Sequence, residues 1–447
     1  MQTIADDHPD IRIFAVNTLP DVLGSRPDEE PHGDHVAALQ LAPASQAPAR
    51  IAAAPRGFAD ASPHFWRRLG GALLAVRWTL GVYLSTRLVC LLLAIVETFV
   101  RKWTLWGMLS NWDGVWYLRV LTEGYPSHVS HVQTPLGFLP LYPLVAWPIA
   151  HLWSLQPTQH GYEIAGLIVS MITGASATVL VAKLAQSWWG RQASRRAVLL
   201  FCLFPGSIVF SMVYTEGLLL TLVAGCLLAM QERRWLLAGI LAGLATAVEP
   251  AAAAIVPACG IAAALELKRL GWREGGARRA LLAPLLSPFG AIAFGAYLWI
   301  HDGSPFASYT AQRYGWKESS SPLALLHIAE DLVDEIKSTP GATHMTVNTD
   351  YVAGLIGAAV LLIAIVLLVR APRLPTPALI WTLGVSALTF TSGQTPPNAR
   401  MLLVAFPAVI VFAQRLRGHW FTALLVLNAV LLASMSWVSL VGVDLRP

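Results

Sequence analysis

Charge is what this sequence has least of: Asp, Glu, Lys and Arg together make up 13% of its 447 residues, where a water-soluble domain carries about twice that share. The hydrophobic share is 55% and the mean hydropathy is +0.56, so a soluble globular fold is excluded in favour of a membrane protein. Cysteine is scarce as well. Cys90, Cys202, Cys226 and Cys259 all lie inside apolar stretches without paired spacing, which points to neither a disulfide framework nor a zinc site. No P-loop, no Rossmann glycine pattern and no paired-histidine zinc motif is present. ATP hydrolysis, hydride transfer and zinc proteolysis therefore lose their usual support. Residues 1 to 69 lack a long apolar core and carry scattered Asp, Glu, Pro and Arg; they read as a disordered cytoplasmic tail without a cleavable signal peptide.

What is abundant is the long apolar run. Such runs recur from Gly71 to Val443, at the roughly 17 to 25 residues that helix needs to cross a hydrocarbon core of about 30 Å. They are continuous rather than alternating, which excludes a lipid-facing barrel. The expectation is an all-α polytopic membrane domain over residues 70–447 with about eleven spans, near 71–99, 162–186, 197–213, 214–230, 235–250, 251–267, 280–300, 350–369, 376–391, 400–414 and 420–442. The net charge of +5 is distributed as short basic clusters between these runs: Arg67 and Arg68, Arg191 to Arg196, Arg233 and Arg234, Lys268 to Arg279, Arg370 and Arg373, and Arg415 with Arg417. That pattern is a topology signal rather than a nucleic-acid patch, and it places the clusters and the N-terminus in the cytoplasm.

One apolar stretch breaks the parity of this count. Phe138 to Leu155 holds Pro140, Pro143 and Pro148, and prolines remove helix hydrogen bonds; it is expected to be re-entrant or interfacial, with a short true span as the alternative. Two long outer loops result, residues 100–161 and 301–349, and long loops in a tightly connected protein are where chemistry concentrates.

The polar residues stranded at outer ends of spans carry the functional reading. Asp113 sits in an aromatic stretch, Asn111-Trp112-Asp113-Gly114-Val115-Trp116-Tyr117-Leu118-Arg119, of the kind that settles at the headgroup level. A lipid-linked substrate would present its head there; the alternative is an interfacial helix in which Asp113 pairs with Arg119 or caps the helix start. Glu216 and Glu249 also fall at outer ends of spans, and an ionisable group in a span costs roughly 2 to 4 kcal/mol near its centre and less towards its ends. A functional role and a water-exposed helix end are both open for them. Arg400 falls on the outer side against the positive-inside trend, which an anionic partner would explain. Asp302, Arg313, Lys317, His131 and His344 are further outer-loop residues, each of which alone reads as a solvated loop position. A transporter or lipid flippase is the rival function, since broken spans and intramembrane acids also mark translocation paths; a catalytically inactive scaffold is another.

Trp112-Asp113-Gly114-Val115-Trp116-Tyr117-Leu118, Gly124-Tyr125-Pro126 and Phe138-Leu139-Pro140-Leu141-Tyr142-Pro143 together resemble the signature region of the PIG-V-type mannosyltransferases, which are GT-C membrane glycosyltransferases. Phe204-Pro205, Phe210-Ser211 and Tyr214-Thr215-Glu216 are similar to that family's Pro-containing helix and its Tyr-Ser-Glu-like triplet. Asn398-Ala399-Arg400 with Phe406-Pro407 resembles its late Arg-Tyr and Phe-Pro pattern. The resemblance implies inverting transfer of a sugar, usually mannose, from a polyprenyl- or dolichyl-phosphate donor to a glycan or glycolipid acceptor at the outer face. The Ala-rich, Arg-over-Lys composition resembles that of an actinobacterial protein, which favours polyprenyl phosphate and a bacterial plasma membrane. On this reading Asp113 is the catalytic base, and Trp112, Tyr117, Arg119, Tyr142, Tyr214, Glu216, Glu249 and Arg400 bind substrate. Arg313 or Lys317 would assist Arg400 at the phosphate. No cofactor is implied, although Asp113 with Glu216 would suit a divalent ion if folding joined them. The sequence departs from the family at Val248-Glu249-Pro250, where a Thr-Arg-Pro-like motif is usual, so an anion replaces a cation; Gly114 stands where Ala or Ser is commoner.

Overall fold

The computed structural model describes residues 63–152, 154–338, 348–393 and 395–440, and among them the regular secondary structure is helical, with a single isolated bridge between Ser320 and Ser392. The protein is an integral, multi-pass membrane protein. Its first helix, α1, runs from Pro63 to Arg101, so the last seven residues of the expected tail are helical; the rest of that tail lies outside the described residues, as does His344. Two short helices follow, α2 (Leu105–Leu109) and α3 (Asp113–Glu123), and then α4 (Leu141–His151) and the long α5 (Gln159–Leu203). Next come α6 (Glu216–Gln231), α7 (Trp235–Ala245) and α8 (Ile255–Leu270).

Among the described residues, six helical segments are long and apolar enough to cross a membrane: Val76–Val100, Gln159–Leu203, Pro250–Leu270, Gly275–Asp302, Thr349–Val369 and Gly418–Leu440. A seventh is the bent pair Pro205–Ser211 and Glu216–Gln231, which turns through 106° at its break. The difference from eleven uniform spans has a local cause in each case. Gly190, at φ 84°, interrupts α5, and Ser194 Oγ reaches back to the Ala182 carbonyl at 2.8 Å, so the chain reverses there as the Arg191 to Arg196 cluster implied. The expected 197–213 span stops at Leu203 because Pro205 has no N–H to continue the helix. Trp235–Ala245, Thr376–Thr391 and Phe406–Arg415 coincide with expected spans, yet each is shorter than one full crossing.

The proline-rich stretch forms α4, an eleven-residue helix, about 16 Å long and half a hydrocarbon core. Its prolines do less damage than expected. Pro140 is the N-cap and Pro143 lies in the first turn, where no N–H is required; Pro148 is inside, and the helix continues past it to His151.

The basic clusters gather at one end of the bundle. Trp189 Nε1 donates to the Pro372 carbonyl at 3.1 Å, Arg415 to the Arg370 carbonyl at 2.8 Å and Arg196 to the Leu416 carbonyl at 3.5 Å. At the opposite end the two long loops pack on each other. Leu136 and Leu139 form a small core with Phe294, Leu298, Ala307 and Ala311, and Trp316 Nε1 and Gln312 Nε2 donate to the carbonyls of Thr134 and Gly137. A cysteine introduced at Ser130 and one introduced at Arg373 are therefore expected to react with a membrane-impermeant maleimide from opposite faces of sealed vesicles; labelling of both from the same face would refute this arrangement.

Candidate active site

The site lies at the end of the bundle away from the basic clusters, where three breaks in helix meet. The first is at Trp112, the residue before α3. It is held at φ 58° and ψ −121°, a conformation that L residues other than glycine rarely adopt and that stores about 1 to 3 kcal/mol. The indole Nε1 of Trp112 donates to the Ser439 carbonyl at 2.9 Å, which ties the strained turn to the last described helix, Gly418–Leu440. The turn sets Asp113 as the first residue of α3.

The second break lies between Ser211 and Glu216. Met212 to Thr215 pass under α3: Val213 N donates to the Leu109 carbonyl at 2.8 Å, and the Asp113 amide donates to the Tyr214 hydroxyl at 3.3 Å. Gly114 eases this approach, since a Cβ there would come within 3.1 Å of the Val213 carbonyl oxygen, closer than an ordinary contact. The Tyr214 carbonyl accepts from Ser170 Oγ at 2.9 Å, and the Tyr142 hydroxyl bonds to Ser170 and to the Gly166 carbonyl. Glu216 then opens α6. The third break is at Asn398, whose Oδ1 caps the helix Ala399–Val404 by accepting from the Met401 amide, so that Arg400 projects from its first turn.

These pieces meet on one guanidinium. Arg400 Nη1 lies 2.7 Å from Asp113 Oδ2 and 3.0 Å from Glu216 Oε1, and the guanidinium carbon stands 5.6 Å from the centre of the Tyr214 ring. Both ion pairs use the same nitrogen, so the other edge of the guanidinium takes no part in them. The Arg400 and Asp113 side chains are 20% and 27% exposed, whereas Glu216 is 2% exposed. Two members of the cluster are thus within reach of a ligand and the third supports them from behind. Glu216 Oε2 and Asn398 Nδ2 are buried without a hydrogen-bond partner, which leaves polar groups beside the accessible pair that the surrounding protein does not satisfy. Glu249 adjoins the cluster, accepting from Thr215 Oγ1 at 3.1 Å. It lies between α7 and the span that begins at Pro250, and enclosure by the surrounding helices, reinforced by the Glu216 charge, pushes its carboxyl up to about 8. Asp113 and Glu216 each begin a helix, so the positive end of a backbone dipole offsets part of the negative charge gathered here.

Of the residues singled out from sequence, Asp113, Tyr214, Glu216, Glu249 and Arg400 come together. Tyr117 is buried among Phe138 and Tyr142, and Tyr142 is fully enclosed and engaged with backbone. Arg119 does not pair with Asp113; it lies over the Trp116 ring at 4.7 Å. Arg313 covers Tyr314, His131 packs on the same ring, and Asp302 ends the helix Phe289–Asp302. Between Asp113 and Glu216, the two carboxylates that would suit a divalent ion, stands Arg400; among the described residues no group of three or more His, Cys, Asp or Glu could hold a metal ion. Thr215, Asn398 and Arg87 were not singled out. The first two are ordinary polar residues in sequence, but Arg87 is an arginine in the middle of an apolar run, a signal that was there to be read.

Removing the cation should expose the cost of the arrangement. Arg400→Met leaves Glu216 buried and unpaired and is expected to lower stability by about 3 kcal/mol, read as a lower Tm in detergent, with partial recovery in the Arg400→Met, Glu216→Gln double variant. An unchanged Tm would mean that the three groups are not energetically coupled.

The mannosyltransferase (PIG-V) family model matches residues 85–258. No curated protein matches the chain in sequence. Among solved structures, the chain is similar to ArnT from Cupriavidus metallidurans bound to undecaprenyl phosphate, at 14% identity and TM-score 0.44 over 70% of this chain and 57% of that one. It is also similar to the oligosaccharyltransferase of Archaeoglobus fulgidus, at 14% identity and TM-score 0.42 over 80% and 56%. The archaeal oligosaccharyltransferase AglB from Archaeoglobus fulgidus, in complex with an inhibitory peptide and a dolichol-phosphate, matches at 13% identity and TM-score 0.41 over 82% and 56%. The chain spans a little over half the length of these proteins. Asp113, Glu216 and Glu249 all fall within the region that the mannosyltransferase (PIG-V) family model matches.

Proposed function

We propose that the protein is a membrane glycosyltransferase that moves mannose from a polyprenyl-phosphate donor to a glycan or glycolipid acceptor at the outer face of a bacterial plasma membrane, with inversion at the anomeric carbon. The observation that carries this reading is the meeting of Asp113 and Glu216 on Arg400 at the end of the bundle opposite the basic clusters. A carboxylate and a guanidinium within one site are the two groups a single displacement needs. One takes a proton from the nucleophile, and the other meets the charge of the leaving group.

In this mechanism the acceptor hydroxyl attacks the anomeric carbon as the bond from that carbon to the phosphate oxygen breaks. The electron pair of the broken bond leaves with the phosphate, and the hydroxyl proton passes to Asp113. A hydroxyl is far less acidic than a carboxyl group, so the proton moves late, once bond formation has acidified the oxygen. Arg400 binds Asp113 through Oδ2, which leaves the second carboxylate oxygen for the acceptor. The edge of Arg400 away from Nη1 is assigned to the departing phosphate, through charge-assisted hydrogen bonds. Glu216 holds Arg400 in place from behind. No cofactor is required in this scheme, because a phosphate already activates the sugar. The flippase alternative draws less support, because translocation places ionisable groups along a mid-membrane path. Here Arg87, at mid-span, is sealed and bonded to backbone.

Two measurements test the proposal. Membranes carrying the protein are expected to transfer radiolabelled mannose from polyprenyl-phosphate-mannose to a host lipid extract, and Asp113→Asn to reduce turnover by about a hundredfold or more; transfer undiminished in a folded Asp113→Asn would exclude Asp113 as the base. Turnover should also fall as pH rises through about 8, where Glu249 loses its proton and adds a negative charge beside the cluster assigned to an anionic donor. Glu249→Gln has no such proton to lose, so its profile should lack that alkaline limb.

A further inference from the structure

Arg87 lies at the middle of the Val76–Val100 span and is 2% exposed. A charge at that depth costs roughly 2.5 to 3.5 kcal/mol on insertion scales, and every partner described for it is neutral. Its Nη1 donates to the Ser207 carbonyl and, at 3.3 Å, to Ser211 Oγ. Its Nη2 donates to the Cys202 carbonyl at 3.1 Å and to Ser207 Oγ at 2.9 Å. The Tyr83 and Phe210 rings lie 5.6 and 5.8 Å from the guanidinium carbon. All but the Tyr83 ring belong to one short stretch, the end of α5 and the 3-10 turn Pro205–Ser211. There the helix stops, and carbonyls that lipid cannot serve are left over.

The other side of the same turn touches the site. Gly206 has no side chain because the backbone of Ala399 and Arg400 fills that space: a Cβ on Gly206 would collide with the Ala399 carbonyl and the Arg400 amide nitrogen. The turn continues within five residues into Tyr214, Thr215 and Glu216. It is therefore clamped by Arg87 on one side, abuts the backbone of Arg400 on the other, and leads directly to Glu216.

We infer that Arg87 is a positioning residue: by holding the 3-10 turn Pro205–Ser211 against the backbone of Arg400, it brings Glu216 and Arg400 into register with Asp113. The consequence for turnover rests on the transferase reading above; the clamp itself does not. A lysine would keep the charge, but its single nitrogen cannot reach Cys202 and Ser207 with the two arms of a planar fork.

The test compares the full chain in nanodiscs with Arg87→Met and Arg87→Lys, following hydrogen exchange of the peptide covering 205–216 together with kcat and KM for mannose transfer. In Arg87→Met that peptide is expected to exchange faster while α8 and Thr349–Val369 keep wild-type rates, and kcat to fall by about a hundredfold with KM within about threefold, as a misplacement near 1 Å produces. Arg87→Lys should lie between the two. Wild-type exchange of the 205–216 peptide in Arg87→Met would overturn the inference. So would a uniform acceleration across the bundle, which is the signature of an ordinary core residue. If Arg87→Met does not accumulate folded, Ser207→Ala, which removes one partner of the clamp without touching a charge, is scored on the same peptide against the same two outcomes. A wild type that transfers nothing would count against the proposed reaction, and the exchange result would still decide the clamp.

Discussion

Inside a membrane a helix that stops short leaves carbonyl and amide groups with no water to bind, and this protein has built its candidate site around such a stop. α5 ends at Leu203 because Pro205 offers no N–H. Ser207 Oγ turns back to the Cys202 carbonyl at 2.8 Å, and Arg87 reaches the same carbonyl from α1. With its backbone satisfied in this way, the chain can bend through 106° and begin again at Glu216. A continuous helix would have carried Glu216 past the position at which it now meets Arg400.

The same economy of short elements explains how the charges are tolerated. Asp113, Glu216 and Arg400 are each at or beside a helix start, so the positions of the charges follow from where helices begin. The two carboxylates gain from the positive end of the backbone dipole, while Arg400 is disfavoured by its own helix start and offset by its two partners. Partial access of water to Asp113 and Arg400 lowers the desolvation cost that a sealed ion triad would carry. Glu216, sealed behind them, gives the guanidinium a fixed support, and the strained Trp112 aims the accessible carboxylate at it.

The outer loops complete the frame. Trp316 is edge-on to Trp116 at 4.8 Å and close to Phe138, and Ser392 Oγ bonds to Glu318 at 2.7 Å. The loop after the helix Phe289–Asp302 therefore links the segment following Asp113 to the segment preceding Arg400. These contacts are aromatic edges and a hydroxyl-to-carboxylate hydrogen bond between residues far apart in the chain, and they hold the two sides of the site at a set distance.

The sequence by itself determined that this is a helical membrane protein, which end of each span carries the basic clusters, and which acids stand at the other end. These properties follow from local composition: apolar run length, the placement of arginines, and carboxylates where lipid would otherwise be. It also showed, through Pro205 and the prolines around Tyr142, that some runs could not be plain helices, though not that Pro140 and Pro143 would sit harmlessly at a helix start. Only the tertiary structure decided that Arg400 joins Asp113 to Glu216, that Arg119 turns instead to Trp116, that Tyr142 is a buried strut, and that Arg87 serves carbonyls of another helix. Each of these depends on the direction in which a side chain leaves a break in the backbone. A break rotates everything beyond it, and spacing along the chain no longer reports distance across it.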